Sequence, residues 1–313
     1  MYLIDEKHYK NGMKTVISPQ VPLLNPSQFD AYIFQDWVPK VLEFYEKFHI
    51  AKIEDYKEHL KLPMPPHRRS VYFFIFITKG KIVRSKALTN YEITAGHFFF
   101  LPAHQITSLE YVSPDAEGYY CHFSPEIFNT NWIKASMNTD FPFFQLVGNP
   151  LVLVKNPERH LQLLQILETE YLNNLKERFN LISIYLLSLF AEVSLEVTST
   201  PVQNNNAATI LTQRYKNALS EFIYEKKTVL EFAEHLSVTT NHLHKCVKAT
   251  TGKSAHQLLD EMRLLEAKVL LRQTTLSIGE IAFKIGQFDP SDFSRFFKSK
   301  TNMTPQQYRQ TAD

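Results

Sequence analysis

Two sets of polar side chains carry the groups that proteins use to bind nucleic acid. Amide, imidazole, hydroxyl and guanidinium groups hydrogen-bond to base edges, and cationic groups attract phosphates. The first set is Asn241, His244, Lys245 and Lys248, and the second set, about fifty residues later, is Ser291, Ser294, Arg295 and Lys298. Within each set the spacing places the side chains on one face of a helix. The chain therefore has two candidate polar, basic helix faces.

The second face requires a helix whose opposite side is apolar and packs against the protein. The surrounding residues predict such a helix. Apolar residues recur at helical spacing in two short runs, which are Ile278, Ile281 and Ala282, then Phe293, Phe296 and Phe297. Gly286 ends the first run, and Asp289 with Pro290 begins the second, at positions that suit these residue types. Two helices joined by a tight turn are typical of a helix-turn-helix that enters a DNA major groove. The same pattern also fits a small helical bundle.

The first face lies in an earlier segment with the same pattern of two helices joined by a tight turn. A helix begins at Thr228, a turn follows at Ser237 and Val238, and the next helix ends at Gly252. The inward side of that next helix has Leu243, Cys246 and Val247. Between the two copies, residues 254–273 predict a long amphipathic helix that can hold both copies at a fixed separation.

Residues 209–311 resemble the DNA-binding domain of AraC-type transcription regulators over its whole length. The first reading helix of that family, L-x-R-x-F-K-x-x-x-G, is similar to Leu243, Lys245, Val247, Lys248 and Gly252. The linker-helix motif R-x-x-x-A-x-x-L-L is similar to Arg263, Ala267, Leu270 and Leu271. The family signature around the second unit matches Ile281, Ala282, Gly286, Asp289, Ser291, Phe293, Ser294, Arg295, Phe297, Lys298, Thr304, Pro305, Tyr308 and Arg309. These ordered matches favour DNA contact over the alternative of a solvated helix face.

Four positions depart from the family pattern. Lys245 stands where arginine is usual, so a point charge replaces bidentate pairing to guanine. Gln287 replaces an aromatic residue, Asn302 replaces the glycine that ends the helix, and Asp292 stands where histidine or tyrosine is common. Asparagine tolerates the left-handed conformation, whereas a carboxylate near phosphates lowers affinity unless it accepts a bond from cytosine.

The resemblance implies a role for each residue of the two faces. Base edges in one groove would be contacted by Asn241, His244 and Lys245, base edges in the next by Ser291, Ser294 and Arg295, and phosphates by Lys248 and Lys298. The linker helix would hold the two reading helices about one DNA turn (~34 Å) apart. The expected partner is double-stranded DNA, with RNA polymerase as a further candidate partner.

Length and composition fit a two-domain protein. The chain has 313 residues and a net charge of +2. Residues 209–313 hold 15 Lys and Arg against 11 Asp and Glu, a modest basic excess. The only cysteines are Cys121 and Cys246, too few for a disulfide framework or a zinc cluster. The first ten residues do not resemble a signal peptide, and the apolar run 181–197 is too short to span a bilayer. A cytoplasmic protein without membrane contact is expected.

The N-terminal part has the pattern of a β domain. Short aromatic and β-branched runs alternate with turns at 71–77, 81–85, 97–102, 105–112 and 119–123. They predict a small antiparallel barrel or sandwich, and this segment resembles the cupin-type sensor half of AraC-type regulators. Ahead of them, residues 38–60 have helical spacing and predict a helix. The expected fold is α+β, with a cupin-like antiparallel β-barrel, a helical dimerisation segment and an all-α domain of two helix-turn-helix units.

Alternating phenylalanines in the predicted barrel indicate a place for a small molecule. Phe74, Phe76, Phe98 and Phe100 would share one side of the sheet and line a common interior. The alternative, which we favour on sequence grounds, is that this stripe is hydrophobic core. The sensor interpretation predicts a small-molecule effector.

Two helices after the barrel predict a homodimer. They cover residues 158–176 and 179–197, and the second is apolar nearly all round. Such a helix needs two buried sides, one against its own domain and one against another subunit. The alternative is a helix wholly buried inside one domain. The expected boundaries are a sensor and dimerisation domain at 1–198, an Asn-rich linker at 199–208 and the DNA-binding domain at 209–313.

A metal-dependent cupin enzyme with an accessory helical domain is the main alternative function. The second metal motif of cupins resembles G-x5-P-x-G-x2-H, and Gly96 and Pro102 fit it. However, His104 stands at its second glycine and Thr107 at its ligand histidine, and no H-x-H occurs between residues 60 and 130. The sequence also lacks G-x-S-x-G, a phosphate-binding loop and a dinucleotide motif. No catalytic residue, metal or cofactor is therefore expected. A third interpretation is an adaptor whose helical pairs bind peptides.

Overall fold

The computed structural model describes residues 24–35, 37–129, 135–145, 149–173, 175–199, 207–286 and 289–311. Residues 1–23, Gln287 and most of the expected linker at 199–208 lie outside these ranges. Within them, a β domain with flanking helices comes first and a helical domain follows. This order confirms the predicted α+β fold.

Two antiparallel sheets pack together in the N-terminal part. The five-stranded sheet has the order β1 (Phe48–Lys52), β8 (Glu117–Phe123), β3 (Tyr72–Lys79), β6 (His97–Leu101) and β9 (Leu151–Leu153). The four-stranded sheet has the order β2 (Met64–His67), β7 (Thr107–Val112), β4 (Lys81–Lys86) and β5 (Thr89–Thr94). All five strand-like runs predicted between residues 71 and 123 are strands here.

The helices of this part are α1 (Pro26–Ile33), the short α2 (Met137–Asp140), α3 (Glu158–Asn173) and α4 (Leu175–Ser199). The helical domain contains α5 (Ala207–Phe222), α6 (Val229–His235), α7 (Thr240–Thr251), α8 (Ala255–Gln273), α9 (Ile278–Gly286), α10 (Pro290–Thr301) and α11 (Pro305–Gln310). The two predicted helix-turn-helix units are therefore α6–α7 and α9–α10.

The predicted helix over residues 38–60 is wrong. Its centre is β1, which lies antiparallel to β8 with Ile50 opposite Cys121, and 3-10 turns cover Ile53–Asp55 and Lys57–His59. Phe48 and Ile50, two residues apart, face the same core, as alternate residues of a strand do. Pairing with β8 outweighs the helical spacing, because strand formation depends on a tertiary partner.

The two faces of the five-stranded sheet belong to two different cores. Successive side chains of a strand point to opposite faces. On one face, Phe74 and Phe76 of β3 pack with α3 and α4. On the other face, Phe73 and Ile75 pack with the four-stranded sheet.

Helix α4 packs along the first of these cores. Its fully buried side chains are Ile182, Leu186, Leu189, Phe190 and Val193. The stretch Arg178–Val197 is the one described helix long and apolar enough to cross a membrane, so the expectation that this run is too short is wrong. A core helix passes the same test of length and composition, and this helix lies against a sheet.

Each helix-turn-helix unit has its own core, and α8 contributes to both. The first core includes Phe232, Leu243 and Val247 with Leu258 and Met262 of α8. The second core includes Ile281, Phe293 and Phe297 with Ala267 and Leu270 of α8. The two units are therefore braced by one continuous helix of 19 residues, about 28 Å long.

Candidate functional site

The first polar face lies on α7 and is open to solvent. Asn241, Lys245 and Lys248 are exposed and recur at i, i+4 and i+7, while His244 is half-buried. Thr239 starts this helix, because its hydroxyl accepts a hydrogen bond from the His242 backbone N–H at 3.2 Å. The left-handed Gly252 ends it.

The second polar face lies on α10 at the same helical positions. Ser291, Arg295 and Lys298 are exposed at i, i+4 and i+7, and Ser294 is half-buried. Asp289 starts the helix by accepting a hydrogen bond from the Ser291 N–H at 2.8 Å. Each side chain of this face stands fifty residues after its counterpart on α7. Asn302 ends the helix in the left-handed conformation. Asparagine tolerates this conformation, so it can replace the glycine that is usual at this position.

Three residues of these faces already make local contacts. The Ala255 N–H donates to Nδ1 of His244 at 3.3 Å, so Nε2 is the ring nitrogen left for another partner. Ser294 donates to the Pro290 carbonyl at 2.8 Å. Arg295 forms an ion pair with Asp292, and both side chains are more than half exposed. Exposed pairs of this kind contribute roughly 0–1 kcal/mol, so Arg295 can exchange Asp292 for another acceptor.

Hydrogen bonds fasten the two units to each other and to α8. The Arg263 guanidinium of α8 donates to the Lys227 carbonyl at 2.5 Å, and the Lys227 ammonium donates to the Lys284 carbonyl at 2.7 Å. Lys227 precedes α6 and Lys284 lies in α9, so this chain of contacts joins the first unit to the second. Arg309 of α11 donates to the carbonyls of Leu271 and Leu276.

The β domain meets α8 through a buried ion pair. Arg68, just after β2, donates from both terminal nitrogens to the Glu266 carboxylate at 2.8 and 2.5 Å. The Tyr224 hydroxyl donates to the same carboxylate at 2.5 Å, and burial raises the pKa of Tyr224, so it remains protonated. The Glu266 side chain is 0% exposed and that of Arg68 7%. The contact therefore links the β domain to the helix that braces both units.

A narrow cavity lies between the two sheets. Its walls are mainly apolar and aromatic side chains, including Phe29, Phe34, Trp37, Ile53, Ile75 and Leu109. The polar residues that line it are Tyr45, His49, Tyr56, Arg69, Arg84 and Tyr120. Apolar walls with a few polar groups are typical of small-molecule sites.

The four phenylalanines predicted to line a ligand site lie outside this cavity. Phe74, Phe76, Phe98 and Phe100 are buried on the opposite face of the five-stranded sheet, in one cluster with Phe190 of α4. The Phe76 and Phe98 rings stack with their centroids 4.2 Å apart. They pack as hydrophobic core, the alternative favoured on sequence grounds, because β3 directs Phe73 and Ile75 towards the second sheet instead.

Three buried histidines of the β domain have a lowered pKa and are neutral. Burial lowers the pKa of His49 and of His67, and lowers that of His122 to about 3. In the part of the chain that the structure describes, no group of three or more His, Cys, Asp or Glu is placed to hold a metal. At the position of the missing cupin ligand, the Thr107 hydroxyl accepts a hydrogen bond from Arg84 at 3.0 Å.

Sequence reasoning missed Arg69, Arg84 and Glu266, although a signal for two of them exists. Arg84 follows Ile82 by two residues and so shares the inward face of β4. Glu266 lies four residues from both Met262 and Leu270, on the apolar face of α8. A charge at an inward-facing position indicates a buried partner, because an unpaired charge is costly to bury.

Two family models match this chain. A helix-turn-helix domain model matches residues 232–311, and an AraC-like ligand-binding domain model matches residues 59–189. Each model falls on one of the two parts of the fold described above.

Individual proteins match as well. The chain is 23% identical over 251 residues to YisR of Bacillus subtilis, an uncharacterised helix-turn-helix transcriptional regulator, covering 77% of this chain and 86% of YisR. It is 35% identical over 81 residues to the transcriptional activator RhaS of Escherichia coli, covering 26% of this chain and 29% of RhaS. The solved structure of ToxT from Vibrio cholerae aligns with 84% of this chain and 98% of its own, at 16% identity and a TM-score of 0.40.

Proposed function

This chain belongs to the AraC type of transcriptional regulators, and from that premise we propose that it binds two successive major grooves of DNA with α7 and α10. The observation that carries the proposal is the repetition of one exposed polar face, at matching positions, on two helices braced by α8. Two helix faces that contact only water would not require a fixed separation, whereas two faces that bind successive grooves of one duplex do.

Each side chain has a role that follows from its chemistry. Asn241 suits adenine, Arg295 suits guanine, and His244, Lys245, Ser291 and Ser294 supply less selective contacts to base edges. Lys248 and Lys298, at the far end of each face, suit phosphates and add salt-dependent affinity.

Replacing Arg295 by alanine should remove base recognition at one position. We expect a loss of about 1–3 kcal/mol of binding free energy on the preferred site and a relaxed preference at one base pair. The measurement is the dissociation constant at fixed salt on a site selected from random DNA and on its single-base variants.

Lys298→Ala is the matched control, because Lys298 lies one turn away on the same face. It should weaken binding about equally on all sequences and reduce the slope of affinity against salt by about 1. An equal loss on every sequence for Arg295→Ala would contradict base recognition by Arg295.

The N-terminal domain supplies the control of this DNA binding. We place the effector in the cavity between the two sheets rather than against Phe74, Phe76, Phe98 and Phe100. An effector shifts a regulator between two arrangements only if it binds them with different affinity. The Arg68–Glu266 contact is the element through which the β domain can bias the helical domain. The proposed boundaries remain 1–198 for the sensor, 199–208 for the linker and 209–313 for the DNA-binding domain.

Self-association through α3 and α4 is the proposed oligomeric state. Ile184, Ser188 and Ala191 form an exposed row at i, i+4 and i+7 of α4, and the neighbouring helix α3 exposes Ile166 and Leu172. A face of apolar and small side chains suits the two-fold contact of a homodimer. A dimer would present two DNA-binding domains and raise their effective concentration on paired sites.

Ile184→Asp should convert the dimer to a monomer. A carboxylate at a buried two-fold contact meets its own copy, so self-association should weaken by about tenfold or more. Sedimentation velocity across a concentration series measures this change. Leu153→Asp, an equally apolar exposed residue in β9, should leave the dimer intact; a dimer unaffected by both changes would contradict this interface.

We further infer a regulatory and not an enzymatic role, in the cytoplasm and without membrane insertion. Regulators of this type act on DNA and respond to small molecules, and RNA polymerase is a proposed partner at promoters. The cupin metal ligand position is occupied by Thr107, whose hydroxyl is engaged by Arg84 and donates to the Ser85 carbonyl at 2.7 Å. That network supports a binding cavity without a metal centre.

A further inference from the structure

The cavity between the sheets contains two buried cations. Arg69 is 4% exposed and Arg84 is 3% exposed, and their guanidinium carbons lie 4.8 and 4.6 Å from the centroid of the same Phe73 ring. Among the ion pairs of the described residues, none includes either arginine. Two like charges are thus held close together in an apolar enclosure.

Neutral groups satisfy only part of the hydrogen-bonding capacity of these cations. Arg69 donates to His67 at 3.2 Å and to the Tyr120 hydroxyl at 2.8 Å. Arg84 donates from Nε to Thr107, but its buried Nη2 has no hydrogen-bond partner among the described residues. A buried charged donor without an acceptor is strongly unfavourable, so this nitrogen indicates a missing acceptor.

No acid of the described chain fills that place. The charge of Asp30 acts on Arg69, but the Asp30 carboxylate accepts the Tyr45 hydroxyl at 2.5 Å and forms no ion pair with Arg69. Burial raises the pKa of Asp30 to about 6, which weakens it further as a counter-charge. Burial and the neighbouring Arg69 lower the pKa of Arg84 to about 9, so Arg84 is still a cation at neutral pH.

We propose that this cavity binds a small organic carboxylate, with its anionic group on Arg84 and Arg69 and its apolar body against the aromatic walls. This inference rests on the proposed function, because it names the class of effector for the sensor domain. A planar carboxylate matches the fork of guanidinium donors, and one negative charge relieves the repulsion between the two arginines. The walls that include Phe34, Trp37 and Ile53 favour an apolar body over a sugar or a polyphosphate.

Binding has to move the walls, which connects the cavity with the contact between the domains. The free volume is only about 30 Å³, enough for one or two water molecules, so an organic ligand must displace lining side chains. Arg69 follows Arg68 directly, and its carbonyl accepts the His104 N–H at 2.9 Å, while Arg68 donates to the His104 carbonyl at 2.9 Å. A shift of Arg69 therefore reaches Arg68 and the Glu266 carboxylate that Arg68 holds.

The test is thermal unfolding of the full chain with benzoate and with its uncharged analogue benzamide. Benzoate should raise the midpoint by about 5 °C or more at roughly 100 times its dissociation constant, and benzamide should not. Chloride and acetate, at the same ionic strength, show whether an anion without an apolar body is sufficient. Hexanoate against hexan-1-ol repeats the comparison with an aliphatic body.

Two variants assign the response to the cavity. Arg84→Gln should abolish the stabilisation by carboxylates and raise the midpoint of the ligand-free protein, because it removes a buried charge. Lys81→Gln removes a cation from the same strand that is 44% exposed, and it should keep the full response to benzoate. Arg69→Gln is a second cavity variant, and the response of the unchanged protein to benzoate remains decisive if either cavity variant fails to fold.

Several results would overturn this inference. One is that neither benzoate nor hexanoate raises the unfolding midpoint, and another is that benzamide raises it as much as benzoate does. The others are that chloride or acetate alone gives the full increase, or that Arg84→Gln responds to benzoate like the unchanged protein. A carboxylate that binds without altering DNA affinity would overturn its role as effector. DNA binding by the ligand-free protein is measured separately, so the failure of this inference is distinguishable from the failure of DNA recognition.

Discussion

Replacing Glu266 by methionine should separate the two domains. The substitution removes the carboxylate that Arg68 and Tyr224 hold and leaves the Arg68 guanidinium buried without an acidic partner. Breaking a buried ion pair from one side costs about 3–5 kcal/mol, which the molecule avoids by exposing Arg68 to water. Hydrogen exchange at the Arg68 N–H, which donates to Gln273 in the docked form, measures the change, and small-angle scattering should show a larger radius of gyration.

The double variant Arg68→Met with Glu266→Met distinguishes the cost of an unpaired buried Arg68 from the cost of changed side-chain packing. Removing both charges together should restore most of the docking, because the uncompensated cation is gone. Glu261→Met is the matched single change on α8, where Glu261 forms an exposed pair with Lys253. It should cost at most about 1 kcal/mol. Equal effects of Glu266→Met and Glu261→Met would show that the buried pair does not hold the domains together.

Phe297→Ala should unfold the second helix-turn-helix unit and abolish its DNA binding. Phe297 is fully buried between α9, α10 and α11, with its ring 5.4 Å from that of Tyr308. Removing a buried phenyl group costs about 3–5 kcal/mol, a large share of the stability of a small helical unit. Far-UV circular dichroism on heating should show an earlier transition, and affinity should fall on every DNA sequence.

Phe283→Ala provides the control, because Phe283 lies in α9 of the same unit but is 69% exposed. It should change the unfolding temperature little, since an exposed ring contributes little burial. A comparable loss of stability in both variants would contradict the packing of α10 on α9 through Phe297. Retention of selective DNA binding in a destabilised Phe297→Ala protein would contradict the role of the second unit.

The helical domain was predictable because its signals are local. Each signal lies within a few residues of the structure that it specifies. Examples are the helix caps Thr228 and Asp289, the turn at Ser237, and the helical spacing of Phe293 and Phe297. The exposed faces follow from the same spacing. The resemblance then implied which residues of those faces contact DNA, and this assignment remains a prediction.

The β domain was only partly predictable because its strands depend on distant partners. The strand β1 was mistaken for a helix, since its pairing with β8 joins segments about seventy residues apart in the sequence. The strands β2, β5 and β9 carry weak patterns of their own and lie at the edges of the two sheets. The choice between ligand site and core for Phe74 and Phe76 also depended on distant partners, because alternation along a strand does not say which face of a sheet meets helices. Both lie in the hydrophobic core that the sequence favoured.

The sharing of α8 between the two cores has a consequence for the genome in which this regulator acts. A flexible linker would let the two units bind half-sites at several different spacings. A packed helix has a fixed length, so it fixes the spacing between the half-sites. One inserted base pair shifts the second half by roughly 3.4 Å and turns it by about 35° around the duplex. Promoter sites for this protein should therefore tolerate substitutions over evolutionary time far better than insertions or deletions between their halves.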